Sequence, residues 1–294
     1  MNTTPAKQTK AVRVKAAALQ KEQQKKDRAR KIAKWVTSGV AVAAVAIFVI
    51  IMIVVNANYK AAASTTAPNN MGTDGFIMTG EKAYISDTGY NLETGSPSDT
   101  SAVLQAAGVA DRVHVQIFSD YACPQCADFE ETNGDYLNSL LADGSITLQY
   151  SPINALGAGL SVAGGNTAAC VANTAPEQFA TVNKNLFTLT GSNTSSEDDV
   201  VGILKALPVD DTVKSELVKC ANSDVFGNWL ETATLHAVSL TDDAGNQLVT
   251  GTPTILVDGY KYSLNPTLFS EFMGYVLDGM TPAEATTAVT ENHS

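Results

Sequence analysis

The chain is poor in cysteine and histidine and, beyond its first segment, in basic residues. Its 294 residues include four cysteines and three histidines, of which only Cys123 and Cys126 stand close together. A zinc site needs a second close pair of ligands, so we expect no metal. Only eight of the 19 Lys and Arg residues follow position 34, whereas all but two of the 30 Asp and Glu residues do. Such an acidic surface repels nucleic acid.

The basic residues are concentrated in residues 1–34, which contain only two acids, Glu22 and Asp27. The uncharged stretch 35–55 has the length of about 20 residues that a helix needs to cross a bilayer. Because positively charged flanks stay inside, we expect a cytoplasmic segment, 1–34, a single transmembrane helix, 35–55, and an exported remainder. No aromatic residue precedes Trp35, and topogenic charge explains the basic arm more simply than nucleic-acid binding does.

A cleaved signal peptide is the alternative interpretation, because 61–63 offers three alanines at a suitable cleavage position. The apolar core of a signal peptide is usually only about 7–15 residues long, which favours an uncleaved anchor. Residues 56–72 are rich in Ala, Thr, Asn and Ser and are interpreted as a flexible linker. Residues 73–294 then form an extracytoplasmic domain, and the expected location is the cell membrane.

The Cys-Pro-Gln-Cys motif at 123–126 indicates redox chemistry. A β-branched run, 113–118, predicts a strand before it, and the spacing of apolar residues in 127–141 predicts a helix after it. At a helix N-terminus, unpaired N–H groups and the helix dipole stabilise a thiolate. We therefore expect Cys123 to be the exposed nucleophile and Cys126, one turn further, to be the less exposed resolving thiol.

Two motifs resemble those of a known family. Residues 118–126 and Phe129 resemble the F-x-D-x-x-C-P-x-C-x-x-F pattern of DsbA-like thiol–disulfide oxidoreductases, and 251–254 is similar to their G-T-P-T loop. The two motifs occur in the family's order. The resemblance covers about 72–285 and is much more specific than a lone C-x-x-C. Alternatives for the cysteine pair alone are a structural disulfide or half of a zinc site.

The resemblance implies an α/β thioredoxin fold with an inserted helical domain, here preceded by the transmembrane helix. The insertion would span about 160–240, where the apolar spacing is helical. Pro253 would be a cis proline packed beside the active cysteines, and Thr252 would offer backbone groups to an extended substrate. No cofactor is expected.

The remaining elements are predicted from local pattern. Apolar residues recur at helical spacing between Leu268 and Val276, which predicts a C-terminal helix ending near Gly279. The other predicted strands are 76–78, 146–150, 254–257 and 260–264.

The residues next to the two cysteines affect both the start of the helix and the expected oxidising strength. Pro124 suits the first turn of a helix, where its missing N–H costs no hydrogen bond. Gln125 stands where the resembled enzymes often have histidine, and several acids lie close in sequence, so we expect a weaker oxidant. Ile117 occupies the position at which thioredoxin-like proteins often bury an acid.

The second cysteine pair, Cys170 and Cys220, falls in the helical block. An even cysteine count and an oxidising compartment favour a structural disulfide between them. Because the disulfide would close a loop of about 50 residues, it would stabilise the folded state by roughly 4 kcal/mol. Two unpaired buried thiols are the alternative.

The leading functional hypothesis is a membrane-tethered oxidase, a monomer, that introduces disulfides into exported, unfolded or folding proteins with free cysteines. The resemblance implies a reoxidising membrane partner similar to vitamin K epoxide reductase or to DsbB. The alternatives are a disulfide reductase or isomerase on the same scaffold, and a non-catalytic binding module in which the motif is an inert staple.

Overall fold

The structure is a computed structural model that describes residues 67–87, 96–190 and 197–294. The predicted cytoplasmic segment, 1–34, and the predicted transmembrane helix, 35–55, lie outside these ranges and stay predictions. Among the residues that are described, no helix is both long enough and apolar enough to cross a bilayer.

Within the described ranges, one mixed sheet has five strands in the order β1-β3-β2-β4-β5. The strands are β1 (Phe76–Met78), β2 (Val113–Ser119), β3 (Ile146–Pro152), β4 (Thr254–Val257) and β5 (Tyr260–Tyr262). β2 and β3 are parallel, whereas β1 pairs antiparallel with β3, β4 with β2 and β5 with β4. The predicted strands are confirmed, but β2 and β3 extend one and two residues further than predicted and the last strand ends two residues early.

Helices cover the sheet and form the insertion. The helices are α1 (Thr100–Ala106), α2 (Pro124–Ala142), α3 (Gly159–Thr174), α4 (Phe179–Thr188), α5 (Glu197–Lys205), α6 (Asp211–Asn222), α7 (Gly227–Ser239), α8 (Phe269–Leu277) and α9 (Pro282–Asn292). Parallel strands need a crossover connection, and α2 supplies it between β2 and β3. Five consecutive helices, α3 to α7, stand between β3 and β4, close to the predicted insertion of 160–240.

The insertion is built around α3, which is buried along most of its length. Cys170 on α3 and Cys220 on α6 form a disulfide whose Cα atoms are 6.0 Å apart. The large side chains of Trp229 and Leu230 on α7 are fully buried in the same core. The insertion is therefore packed into the same core as the sheet, and it has a covalent link across it.

The folded domain begins before residue 73. Met71 is fully buried, and Asn70 Nδ2 donates to the Ala172 carbonyl oxygen at 2.7 Å. The Asn69 amide donates to Asn173 Oδ1 at 3.1 Å. The last residues of the predicted linker, 56–72, thus belong to the domain, because they satisfy polar groups at the end of α3.

The C-terminal region adds one helix that the apolar pattern did not predict. α8 ends where expected, and Gly279 has φ +99°, a conformation that favours glycine. α9 follows, and it begins with a capping box in which Thr281 and Glu284 bond each other's backbone N–H groups.

Candidate active site

The two close cysteines lie at the start of α2, directly beyond the end of the central strand β2. Cys123 is the N-cap residue and Pro124 occupies the first turn of the helix. The Cys123 amide donates to the Asp120 carbonyl oxygen at 3.0 Å, which closes the turn between strand and helix. The predicted position of the pair at a helix N-terminus is confirmed.

A second loop, distant in sequence, lies beside the two cysteines. β4 pairs with β2 so that Phe118 lies opposite Thr254, and the loop before β4 is thereby brought to the cysteines. The Thr252–Pro253 peptide bond is cis. The Thr252 carbonyl oxygen lies 3.3 Å from the Cys123 sulfur. The two separated motifs therefore meet at one sulfur atom.

Both sulfur-bearing residues are buried, with 3% of Cys123 and 2% of Cys126 exposed. The expectation that Cys123 is exposed is wrong, because the main chain of Thr252 and the side chain of Gln125 lie against its sulfur. Gln125 itself is exposed. An exposed side chain thus forms part of the cover over the nucleophile.

The two thiols have opposite pKa shifts. The pKa of Cys123 is lowered to about 6, mainly by a hydrogen bond from the Cys126 thiol and, against the effect of burial, also by the side chain of Thr252 and by the backbone N–H groups of Cys126 and Gln125. The pKa of Cys126 is raised well above its ordinary value, first by burial and then by the hydrogen bond and charge of Cys123. At neutral pH the negative charge resides on Cys123.

Gln125 contacts the nucleophile through its carboxamide. Its Oε1 atom accepts a hydrogen bond from the Cys123 thiol at 3.4 Å. An acceptor favours the protonated thiol, but half a turn of the carboxamide presents its NH₂ group, which favours the thiolate. Residue 125 therefore faces the sulfur, although it lacks the positive charge that a histidine would supply.

Asp120 is a buried carboxylate in the active-site turn. The residue is 0% exposed, and its Oδ1 and Oδ2 atoms accept from the amides of Ala122 (2.8 Å) and Leu156 (2.9 Å). Burial raises its pKa, and these hydrogen bonds oppose that effect. The carboxylate links the turn after β2 to the loop that leads into the insertion.

The insertion contacts the active-site turn through hydrogen bonds and close packing. The Tyr121 hydroxyl donates to Asn183 Oδ1 at 2.8 Å, and the Thr190 hydroxyl donates to the Tyr121 carbonyl oxygen at 2.7 Å. α3 comes close because Gly164 has no side chain: a Cβ atom there would lie 2.7 Å from the Tyr121 Cβ. These contacts join distant parts of the sequence, so the local sequence pattern did not predict them.

A second carboxylate lies one turn beyond Cys126. The Tyr150 hydroxyl donates to both oxygens of Glu130, at 3.2 and 3.1 Å. Burial raises the pKa of Glu130 to about 7. Tyr150 is the register partner of Ile117, the position at which a buried acid was sought in the sequence. An acid is thus present near the site, but it comes from the helix rather than from the strand.

The disulfide between Cys170 and Cys220 is separate from these groups, in the core of the insertion. Among the described residues, no group of three or more His, Cys, Asp or Glu side chains could hold a metal ion. The site therefore consists of two free thiols with unequal acidity, a carbonyl group beside the nucleophile and carboxylates behind it. Such a site is suited to exchange between thiols and a disulfide.

A family comparison agrees with this geometry. The sequence model of the thioredoxin family matches residues 109–274, more than half of the chain. The protein belongs to the thioredoxin family. The comparison with curated protein sequences gave no match.

Several solved structures are similar to the chain, and they are thiol–disulfide oxidoreductases of the MdbA and DsbA types. MdbA of Corynebacterium matruchotii is 18% identical, with 71% of this chain and 92% of that chain covered and a TM-score of 0.50. DsbA of Mycobacterium tuberculosis is 19% identical, with coverages of 74% and 99% and a TM-score of 0.47. MdbA of Actinomyces oris is 23% identical, with coverages of 62% and 81% and a TM-score of 0.45. At these identities the likeness concerns the fold.

Proposed function

We propose that this protein is a membrane-tethered, extracytoplasmic thiol–disulfide oxidoreductase that introduces disulfides into exported proteins through Cys123 and Cys126. The observation that carries the proposal is the pair of free thiols at the start of α2, with the Thr252 carbonyl oxygen of the cis-proline loop 3.3 Å from the Cys123 sulfur. A stabilised Cys123 thiolate is a good leaving group, which favours transfer of the disulfide to a client.

The reaction begins with Cys123 and Cys126 joined in a disulfide. A client thiolate attacks the Cys123 sulfur, the new client–Cys123 bond forms, and Cys126 departs with the electron pair. A second client thiolate then attacks the client sulfur and releases the Cys123 thiolate. The client is oxidised by two electrons and the cysteine pair is reduced.

The clients are exported, unfolded or folding proteins with free cysteines. An extended client segment would pair with the backbone at Thr252, whose carbonyl oxygen already lies 3.3 Å from the Cys123 sulfur. The sulfur is buried in the free protein, so client binding displaces the Gln125 side chain. The reduced pair is reoxidised by a membrane protein similar to vitamin K epoxide reductase or DsbB.

The direction of exchange is tested by the redox state of the pair in growing cells together with its equilibrium potential against glutathione. An oxidase is found mostly as the disulfide and has an oxidising potential. A pair held as the dithiol, with a low potential, would instead support a reductase or isomerase. The absence of a positive charge at Gln125 favours this alternative. If Cys123 and Cys126 instead form an inert structural disulfide, the pair will not exchange with any external thiol.

The location rests on the charge pattern around 35–55. Protease added to cells stripped of their wall should digest the folded domain and spare the basic segment, 1–34. Protection of the domain in these wall-free cells, with digestion only after lysis, would place it in the cytoplasm and contradict both location and clients.

A further inference from the structure

The cis-proline loop has a cation beside it that the exchange between the cysteines does not use. Lys261 lies on β5, at an edge of the sheet, and its register partner on β4 is Leu256. The Lys261 Nζ atom donates to the Thr250 hydroxyl at 3.1 Å. The ammonium group therefore contacts the loop that brings Thr252 to the Cys123 sulfur.

The chain itself limits the distance between this contact and the active site. Consecutive Cα atoms are about 3.8 Å apart, so the Cα atoms of Thr250 and Thr252 are separated by at most about 7.6 Å. The Thr252 carbonyl oxygen lies 3.3 Å from the Cys123 sulfur. Lys261 thus contacts the loop two residues away from the place where a client cysteine must bind.

No carboxylate neutralises this cation. Among the residues that the structure describes, Lys261 forms no ion pair, whereas Lys184 pairs with Asp135 and Lys214 with Asp211. Burial lowers the pKa of Lys261, and a carboxylate nearby would instead raise it by favouring the charged form. The positive charge is therefore available to a ligand.

The position of Lys261 strengthens its effect on a bound anion. Lys261 is half-buried, and Thr250 beside it is exposed. Salt screens a partly buried pair of charges much less than a fully exposed pair. Only eight Lys and Arg residues follow position 34, whereas all but two of the 30 Asp and Glu residues do. An unpaired cation beside the cis-proline loop is thus an exception on an acidic protein.

We propose that Lys261 binds an acidic side chain of the client, two residues away from the client cysteine. An extended client advances about 3.3 Å per residue, so this side chain reaches Thr250 when the cysteine lies at Thr252. An ammonium group has three donors, and Thr250 uses one of them. The inference rests on the proposed function, and it specifies the clients as segments with Asp or Glu near the reacting cysteine.

The test measures the rate at which single-cysteine peptides reduce the Cys123–Cys126 disulfide of the full-length protein. Two peptides have Glu two residues before or two residues after the cysteine, and two reference peptides have Gln at the same positions. Each rate is divided by the thiolate fraction of its peptide. The wild type should react about fivefold faster with one Glu peptide than with its Gln counterpart, and Lys261→Gln should lose this preference.

Two variants and one change of solvent serve as controls. Lys261→Arg keeps the charge and should keep the preference. Lys219→Gln removes an exposed cation on α6, inside the insertion, and should leave the preference unchanged. At about 1 M salt the screening length falls to about 3 Å, so the wild-type preference should shrink.

Equal rates of the wild type with the Glu and Gln peptides at both positions would overturn the inference. A preference that survives in Lys261→Gln would also overturn it, as would equal slowing of all peptides, which would show that the ammonium group only holds the loop through Thr250. If Lys261→Gln fails to fold, a wild-type preference that salt leaves unchanged would overturn it. If the wild-type disulfide reacts with no peptide, the proposed function has failed instead.

Discussion

The two cysteine pairs lie in different regions of the fold and differ in chemical state: one consists of free thiols and the other is a disulfide. Cys123 and Cys126 stand at the start of α2, where unpaired N–H groups and the second sulfur give two free thiols unequal acidity. Cys170 and Cys220 are 50 residues apart, joined in a disulfide inside the helical insertion. The same side chain thus serves exchange in one region and cross-linking in the other, and the difference comes from position in the fold.

The largest effect should come from breaking the first pair. Cys126→Ser leaves a nucleophile at Cys123 that forms mixed disulfides with clients but cannot release them by internal attack, so client adducts should accumulate on a non-reducing gel from growing cells. Cys123→Ser should trap few, because the pKa of Cys126 is raised well above its ordinary value and little of it is thiolate. Equal trapping by the two variants would reject the assigned roles.

Breaking the second pair should cost stability but not reactivity. Cys170→Ser with Cys220→Ser removes a cross-link that closes a 50-residue separation, and the free energy of unfolding should fall by about 2–4 kcal/mol. The measurement is urea unfolding without reductant. The rate of alkylation at Cys123 should stay within about twofold of wild type, and a large change in that rate would show that the disulfide shapes the active site.

Contact between the two regions can be tested through α3. Gly164→Ala would place a Cβ atom 2.7 Å from the Tyr121 Cβ, beneath the active-site turn. Overpacking of this kind costs about 1–3 kcal/mol, and here it should also shift the Cys123 pKa. The control is Gly202→Ala on α5, where nothing lies within 4 Å and alanine should stabilise the helix slightly. Equal thermal stability of the two variants would contradict this packing.

A smaller effect is expected at Gln125. Because its carboxamide is 3.4 Å from the Cys123 sulfur, Gln125→His brings a partly protonated imidazole next to the thiolate. The pKa of Cys123 should fall further and the potential should become more oxidising by about 30 mV, equivalent to a tenfold change in the equilibrium constant. The potential is measured against glutathione, and a more reducing value would contradict the expected stabilisation.

The sheet, α2 and the placement of the cysteines were predictable because their signals are local. β2 has a β-branched run, and the two motifs occur in the order that the thioredoxin fold requires. α3 was not recognised as a helix of its own, since a helix buried on nearly every side has no polar face to mark its period. α9 could have been found, because Thr281 and Glu284 have the spacing of a capping box.

The candidate site was only partly predictable, for a different reason. Spacing identified Cys123 and Cys126, and the resemblance to the DsbA-like family implied that Thr252 lies beside them. The burial of Cys123 and the pairing of Glu130 with Tyr150 depend on contacts between distant segments, and one sequence carries no signal for such contacts. Ile117 showed that the usual acid is missing, but not that the helix supplies another.

The most direct test of the account is the pKa of Cys123 in the reduced wild-type protein. Alkylation at Cys123 is followed by mass spectrometry from pH 4 to 10, with Cys126 alkylation recorded in the same samples as the internal comparison. The account predicts that reactivity at Cys123 rises with a midpoint near pH 6 while Cys126 stays unreactive to high pH. A Cys123 midpoint near the ordinary thiol value of about 8.5, shared by both cysteines, would contradict it.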